Sequence, residues 1–183
     1  MSNWIMIASK EWLYPILERM HEILIKEKYV HADETTVQVM NEKDLKNTTK
    51  SYMSVYGTHK DSKTPIRIFD YRPTRNGANA NAFLKGFNGY LISDAYQGYN
   101  KVTGVTRCYC WAHLRRYFVE ALPTDLKNEE ANASKMAIEM IGRLFKIEEE
   151  IANKTAEERL KIRKEKSMDL VDEFFAWVEN NQN

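Results

Sequence analysis

The sequence predicts an α/β fold built on a mixed five-stranded sheet with flanking helices. Three features carry that prediction. Between Tyr29 and Tyr71 apolar and polar residues alternate with a period of two, the pattern of half-buried strands. From Arg75 to Leu122 short apolar runs are separated by helical stretches, and beyond Leu126 the spacing is helical to the end. The order β-β-β-α-β-α-β-α is an antiparallel meander followed by strands with helices between them, so the sheet is mixed and helix-covered. A chain of 183 residues suits one such domain with a smaller appendage.

The elements follow in order. Ile5, Ala8, Trp12, Ile16, Met20, Ile23 and Leu24 recur at helical spacing between Trp4 and Glu27. This run is expected to pack across the rest, with Pro15 kinking it or starting a second helix. Thr35, Val37 and Val39 alternate with Thr36, Gln38 and Met40 in the first strand. Tyr52, Ser54 and Tyr56 alternate with Met53 and Val55 in the second, and Ile66 to Tyr71 forms the third. A polar connection from Asn41 to Lys50 joins the first two. Ala82, Phe83, Leu84 and Phe87 make a short helix stopped by Gly89. Tyr90 to Asp94 reads as a buried strand, Ala95 to Tyr99 as a helical turn, Val102 to Tyr109 as the fifth strand, and Trp111 to Leu122 as a helix. Two further stripes, Met136 to Ile151 and Leu170 to Val178, are read as two antiparallel helices with the charged stretch Glu157 to Lys166 between them. The organisation expected is a helical segment over 1–27, a core over 28–122 and a helical region over 123–183.

Charge narrows the function classes. With 27 Lys+Arg against 26 Asp+Glu the net charge is +1, which excludes holding nucleic acid by bulk positive charge but leaves room for a local basic groove. Cys108 and Cys110 give no disulfide framework, which points to a reducing compartment. No apolar run approaches the roughly 18 residues of a membrane span. Lys10 and Glu11 interrupt the first apolar stretch too early for a signal peptide. A cytoplasmic protein is expected.

Four groups of residues could carry chemistry. Asp33 lies in the first strand among Val30, Val37 and Val39, where a carboxylate is costly unless paired or bound to a cation. Asp94 ends a short apolar strand, the end at which ligand sites of such sheets gather. If both strands are central and adjacent, the two acids converge and suit Mg²⁺, which takes oxygen ligands. Against this, Asp94 could cap the following helix and Asp33 could face solvent from an edge strand. Cys108, Cys110 and His113 have ligand-like spacing but are three where structural zinc needs four. Zinc is therefore not expected, and a buried thiol with a packed histidine is the preferred reading. Arg115 and Arg116 sit about 100° apart on a helix. With Arg72, Arg75 and Arg107 they could form a local basic surface, or simply a solvated charged face.

Taken in order, four motifs go further: His-Ala-Asp-Glu-Thr at 31–35, Asp-Tyr-Arg-Pro-Thr-Arg at 70–75, Gly-Tyr-Leu-Ile-Ser-Asp-Ala-Tyr-Gln-Gly-Tyr at 89–99 and Cys-Trp-Ala-His-Leu-Arg-Arg-Tyr-Phe at 110–118. Together they resemble the transposases of the bacterial insertion-sequence-66 family, over nearly the whole chain. The resemblance implies a ribonuclease H-like core of the Asp-Asp-Glu class, with Asp33 and Asp94 as the first two catalytic and metal-binding acids. It further implies two Mg²⁺ (or Mn²⁺) ions, cleavage and transfer of DNA strands at transposon ends, and no covalent protein nucleophile. Arg75, Arg115, Arg116 and His113 are then DNA-contact candidates, and full-length transposase or a second copy are candidate partners. The third acid of the family, a Glu in a pattern like Asp-Asn-Asn-x-x-Glu-Arg, is absent, the sequence ending at Glu179-Asn-Asn-Gln-Asn. Glu148 is no substitute. The chain alone is thus expected not to perform strand transfer. A DNA-binding or transposase-interacting module without catalysis, or another metal-dependent nuclease using Glu34 or Glu120, are the alternatives.

Overall fold

The computed structural model describes residues 3–42, 45–122 and 133–181. The chain divides into two compact units, Met1–Cys110 and Trp111–Asn183.

In the first unit, helices α1 (Asn3–Ala8) and α2 (Tyr14–Leu24) are joined by one widened π turn over Ser9–Leu13. Pro15 stands at the start of α2. It has no N–H to donate back along the helix, and the turn before it opens accordingly. The expectation that this whole run packs across the rest is corrected. Trp4 and Trp12 are 79% and 71% exposed, and only the last turn reaches the core, through Leu24 with Met20 and Ile23.

Five strands follow: β1 (Tyr29–Gln38), β2 (Lys50–Thr58), β3 (Arg67–Arg72), β4 (Tyr90–Ser93) and β5 (Thr106–Tyr109). Their order across the sheet is β3-β2-β1-β4-β5. β1 and β3 flank β2 antiparallel, whereas β4 runs parallel to both β1 and β5. This is the mixed five-stranded sheet that the sequence predicts, and it makes β1 the central strand. Alternation along β1 buries Val30 and Ala32 and exposes Tyr29, His31 and Asp33. Val30, Ala32, Tyr56, Ile68 and Leu91 turn one face of the sheet toward Leu24, Leu84, Phe87 and Tyr99. Tyr56 and Phe83 stack there with ring centroids 3.9 Å apart.

Helix α3 (Gly77–Phe83) is capped by Asn76, whose side chain accepts from the Ala78 N–H. Its first residue must be small, because a Cβ on Gly77 would lie 2.1 Å from the Gly98 carbonyl oxygen. Gly98 belongs to the 3₁₀ segment Gln97–Lys101, which takes the place of the expected turn at 95–99. The fifth strand begins at Thr106 rather than Val102, since Val102 closes that segment and Gly104 adopts a φ of +79°.

The second unit is helical: α4 (Trp111–Glu120), α5 (Ala133–Glu150), α6 (Ala156–Ile162) and α7 (Met168–Asn180). Phe174 sits at its centre with Trp111 at 5.4 Å, Trp177 at 6.1 Å and Phe118 at 6.3 Å, over Ala137 and Ile141. The charged stretch expected between two helices is itself helical. Thr155 and Glu158 form a reciprocal capping box that starts α6, and a π turn over Arg163–Ser167 joins it to α7. Leu126, where the helical texture begins in the sequence, lies outside the described residues. Among the described residues no helix is long and apolar enough to cross a membrane.

Candidate active site

Asp94 is the residue immediately after β4. Its side chain is only 10% exposed. One carboxylate oxygen accepts the Tyr96 N–H at 3.0 Å, which folds the chain into an Asx turn ahead of the 3₁₀ segment. The other receives Arg75 Nη2 at 3.3 Å. The capping role considered from the sequence therefore uses half of this carboxylate. Its backbone is fixed separately by Arg107 from β5. That guanidinium donates to the carbonyls of Asp94 at 2.6 Å and Tyr96 at 2.8 Å, to Ser93 Oγ at 3.3 Å, and to the Asn100 side chain. It also lies over the Tyr109 ring at 4.8 Å.

Asp33 lies near the middle of β1. The parallel ladder pairs His31 with Ile92, so two residues further on each strand Asp33 and Asp94 stand at the same rank on neighbouring strands. The edge-strand alternative for Asp33 fails because β1 is flanked on both sides. The side chain is nonetheless exposed, and its Oδ1 accepts the Glu34 N–H at 2.9 Å.

Glu34 projects to the opposite face, in register with Val30 and Ala32. Its side chain is 6% exposed and its carboxylate is held by the Arg75 guanidinium and the Tyr99 hydroxyl. Burial, and after it Glu34, pushes the Tyr99 phenol far above its ordinary pKa. Burial alone would lower the Arg75 pKa, but the Glu34 and Asp94 carboxylates outweigh it and the net shift is upward. Arg75 also stacks on Tyr96 at 3.9 Å, and Tyr96 Oη donates to the Arg75 carbonyl at 2.7 Å. The sequence contained a signal for this group. A Glu two places after Ala32 on an alternating strand must lie on the buried face, where it requires a cationic partner.

Of the basic residues, Arg72 pairs with Asp70 at 2.7 Å, and Arg75 and Arg107 are engaged as described. These three are used inside the first unit and do not form an unpaired basic surface. Arg115 and Arg116 lie on α4, where Arg116 approaches Glu120 at 3.7 Å. Cys108 is on β5 and Cys110 follows it, both as free, half-buried thiols. His113 is on α4, in the other unit. Among the described residues no group of three or more His, Cys, Asp or Glu is gathered to hold a metal ion. The Asp33 and Asp94 pair offers hard oxygen donors that fit Mg²⁺ or Mn²⁺ in type. Asp94 already rests against one cation, the Arg75 guanidinium.

The model of the transposase IS66 family matches residues 1–183. This chain belongs to the IS66 transposase family. Its relatives include the uncharacterized proteins y4hP and y4qI of Sinorhizobium fredii (strain NBRC 101917 / NGR234), each 29% identical. The first alignment covers 91% of this chain and 33% of the relative, the second 87% and 31%. The IS66-family chain thus spans about a third of the length of the curated relatives it matches. No solved structure matches it. Membership agrees with the mixed sheet and with the ordered motifs.

Proposed function

We propose that this chain contributes two carboxylates, Asp33 and Asp94, to the metal-dependent DNA cleavage and strand-transfer site of an IS66 transposase. The observation that supports this reading is their position two residues past the last pair of the parallel β1–β4 ladder, Asp33 on the central strand and Asp94 just after the end of β4. Asp33 and Asp94 would hold divalent ions there, which would supply Lewis-acid polarisation of a phosphate and activation of a water or 3′-hydroxyl. The protein's own contribution is positional. Arg107 fixes the backbone on either side of Asp94, and the Tyr96 N–H fixes one of its oxygens. Arg115 and Arg116 supply phosphate contacts, with Arg75 and His113 as further DNA-proximal candidates. With two of the three acids of the class, the chain alone binds metal weakly and does not join strands.

Isothermal titration of the chain with Mn²⁺, beside Asp33→Asn and Asp94→Asn, tests the reading. Each substitution is expected to weaken binding at least about tenfold. Equal affinity in all three proteins, or Mg²⁺-dependent joining of transposon-end DNA by the chain alone, contradicts it. Salt-sensitive DNA binding with no metal response would favour the binding-module reading instead.

A further inference from the structure

We propose that Arg75 is a positioning residue for Asp94: a built-in cation, anchored on Glu34, that holds the Asp94 carboxylate and leaves it when a divalent ion binds. The inference rests on the metal role just proposed for Asp94.

Three features of the geometry carry it. First, one guanidinium faces two carboxylates of different rank in the fold. Its contacts to Glu34 come from both Nε and Nη2, whereas Asp94 is reached by Nη2 alone at 3.3 Å. The strong side of the network is therefore Glu34, and the releasable side is Asp94. Second, the Glu34 anchor does not depend on Asp94. Its carboxylate is 6% exposed, accepts the buried Tyr99 hydroxyl, and lies on the face of β1 opposite to Asp33. Third, Arg75 is tied to the Asp94 loop by its own backbone and by ring stacking, through the Tyr96 hydroxyl and the Tyr96 face. Letting go of Asp94 therefore does not require the arginine to leave its place. Two carboxylates facing one guanidinium leave one negative charge over, which suits a site that must accept a further cation.

A ligand role for Glu34 and an anchor role predict different variants. If Arg75 competes for Asp94, removing its charge helps the metal, and removing its anchor hurts. Arg75→Gln is expected to tighten Mn²⁺ binding roughly tenfold, given a unit charge withdrawn from a buried carboxylate. Glu34→Gln, which leaves Arg75 to Asp94 alone, is expected to weaken it by a similar factor. In the double variant the affinity should return to that of Arg75→Gln, because an anchor has no role once its cation is gone. Weak binding in the double variant would make Glu34 a metal ligand and overturn the proposal, as would unchanged or weaker binding in Arg75→Gln with a native circular dichroism spectrum.

A second readout follows the arginine itself. The ¹⁵N resonance of Arg75 Nε should move in Asp94→Asn, and Mg²⁺ added to the unaltered chain should move it in the same direction. An Arg75 signal indifferent to Asp94→Asn overturns the positioning role outright. A signal that responds to Asp94→Asn while Mn²⁺ binds all variants equally sustains the positioning of Asp94, and overturns both the displacement and the metal reading beneath it.

Discussion

Asp94 is held by two arginines that act on different atoms. Arg107 grips the backbone from β5, and Arg75 touches the carboxylate. Replacing Arg107 by Met keeps much of its apolar stem but leaves the Asp94 and Tyr96 carbonyls without their charged donor. We expect a loss of about 2 kcal/mol in urea unfolding, with faster amide exchange at Tyr96. Tyr56 makes a second prediction at this scale. It is 1% exposed, and burial, with Asp70 second, pushes its phenol up to about 12. The unfolded chain then loses this proton near pH 10 while the folded one keeps it, so the fold binds more protons and its stability falls as pH rises from 10 through 12. The loss should approach about 3 kcal/mol, and Tyr56→Phe should flatten that limb of the stability profile. Residue type and strand context mark Asp33, Asp94 and the arginine motif as candidates in the sequence. The pairing of Glu34 with Arg75 could not, because 41 residues separate the two and only the sheet brings them together.

Elements show the same division. The meander was legible because alternation reports which strand face is buried and short connections join its strands, whereas the sequence left open that β4 pairs with β1. The end of β4 was legible for the same reason. The first helix misled, because an apolar spacing states that a face wants cover and not that the chain provides it. The charged stretch was legible as helical, but not where its helix begins. Its capping box, Thr155 with Glu158, starts a helix that hydrophobic periodicity cannot see. Thr155→Ala should cost about 1 kcal/mol in denaturant unfolding of the chain. Two glycines give a paired expectation of opposite sign. In α5, Gly142 faces open space, so Gly142→Ala should stabilise by about 0.5–1 kcal/mol through helix propensity. Gly77→Ala drives a methyl into the Gly98 carbonyl and should cost about 2 kcal/mol or more, read as a lower Tm.

At the scale of the whole molecule the near-neutral charge is the controlling quantity. A net charge of +1 gives no long-range pull on DNA, and three arginines that composition would add to a basic surface are consumed by Asp70, Glu34, Asp94 and backbone carbonyls. Affinity for DNA would then come from local phosphate contacts, whose number sets the salt dependence. Arg115 and Arg116 are the test. Each phosphate contact removed should lower the slope of log K against log salt by about 0.9, so Arg115→Gln with Arg116→Gln should flatten it by up to about 2. Sequence preference should change little, since phosphate contacts position the protein without reading bases. Fluorescence anisotropy with duplex DNA at several salt concentrations measures both. A slope unmoved by the double substitution would shift the DNA-contact role to other residues, whereas a loss of preference with an unchanged slope would mean these arginines read base edges instead of the backbone.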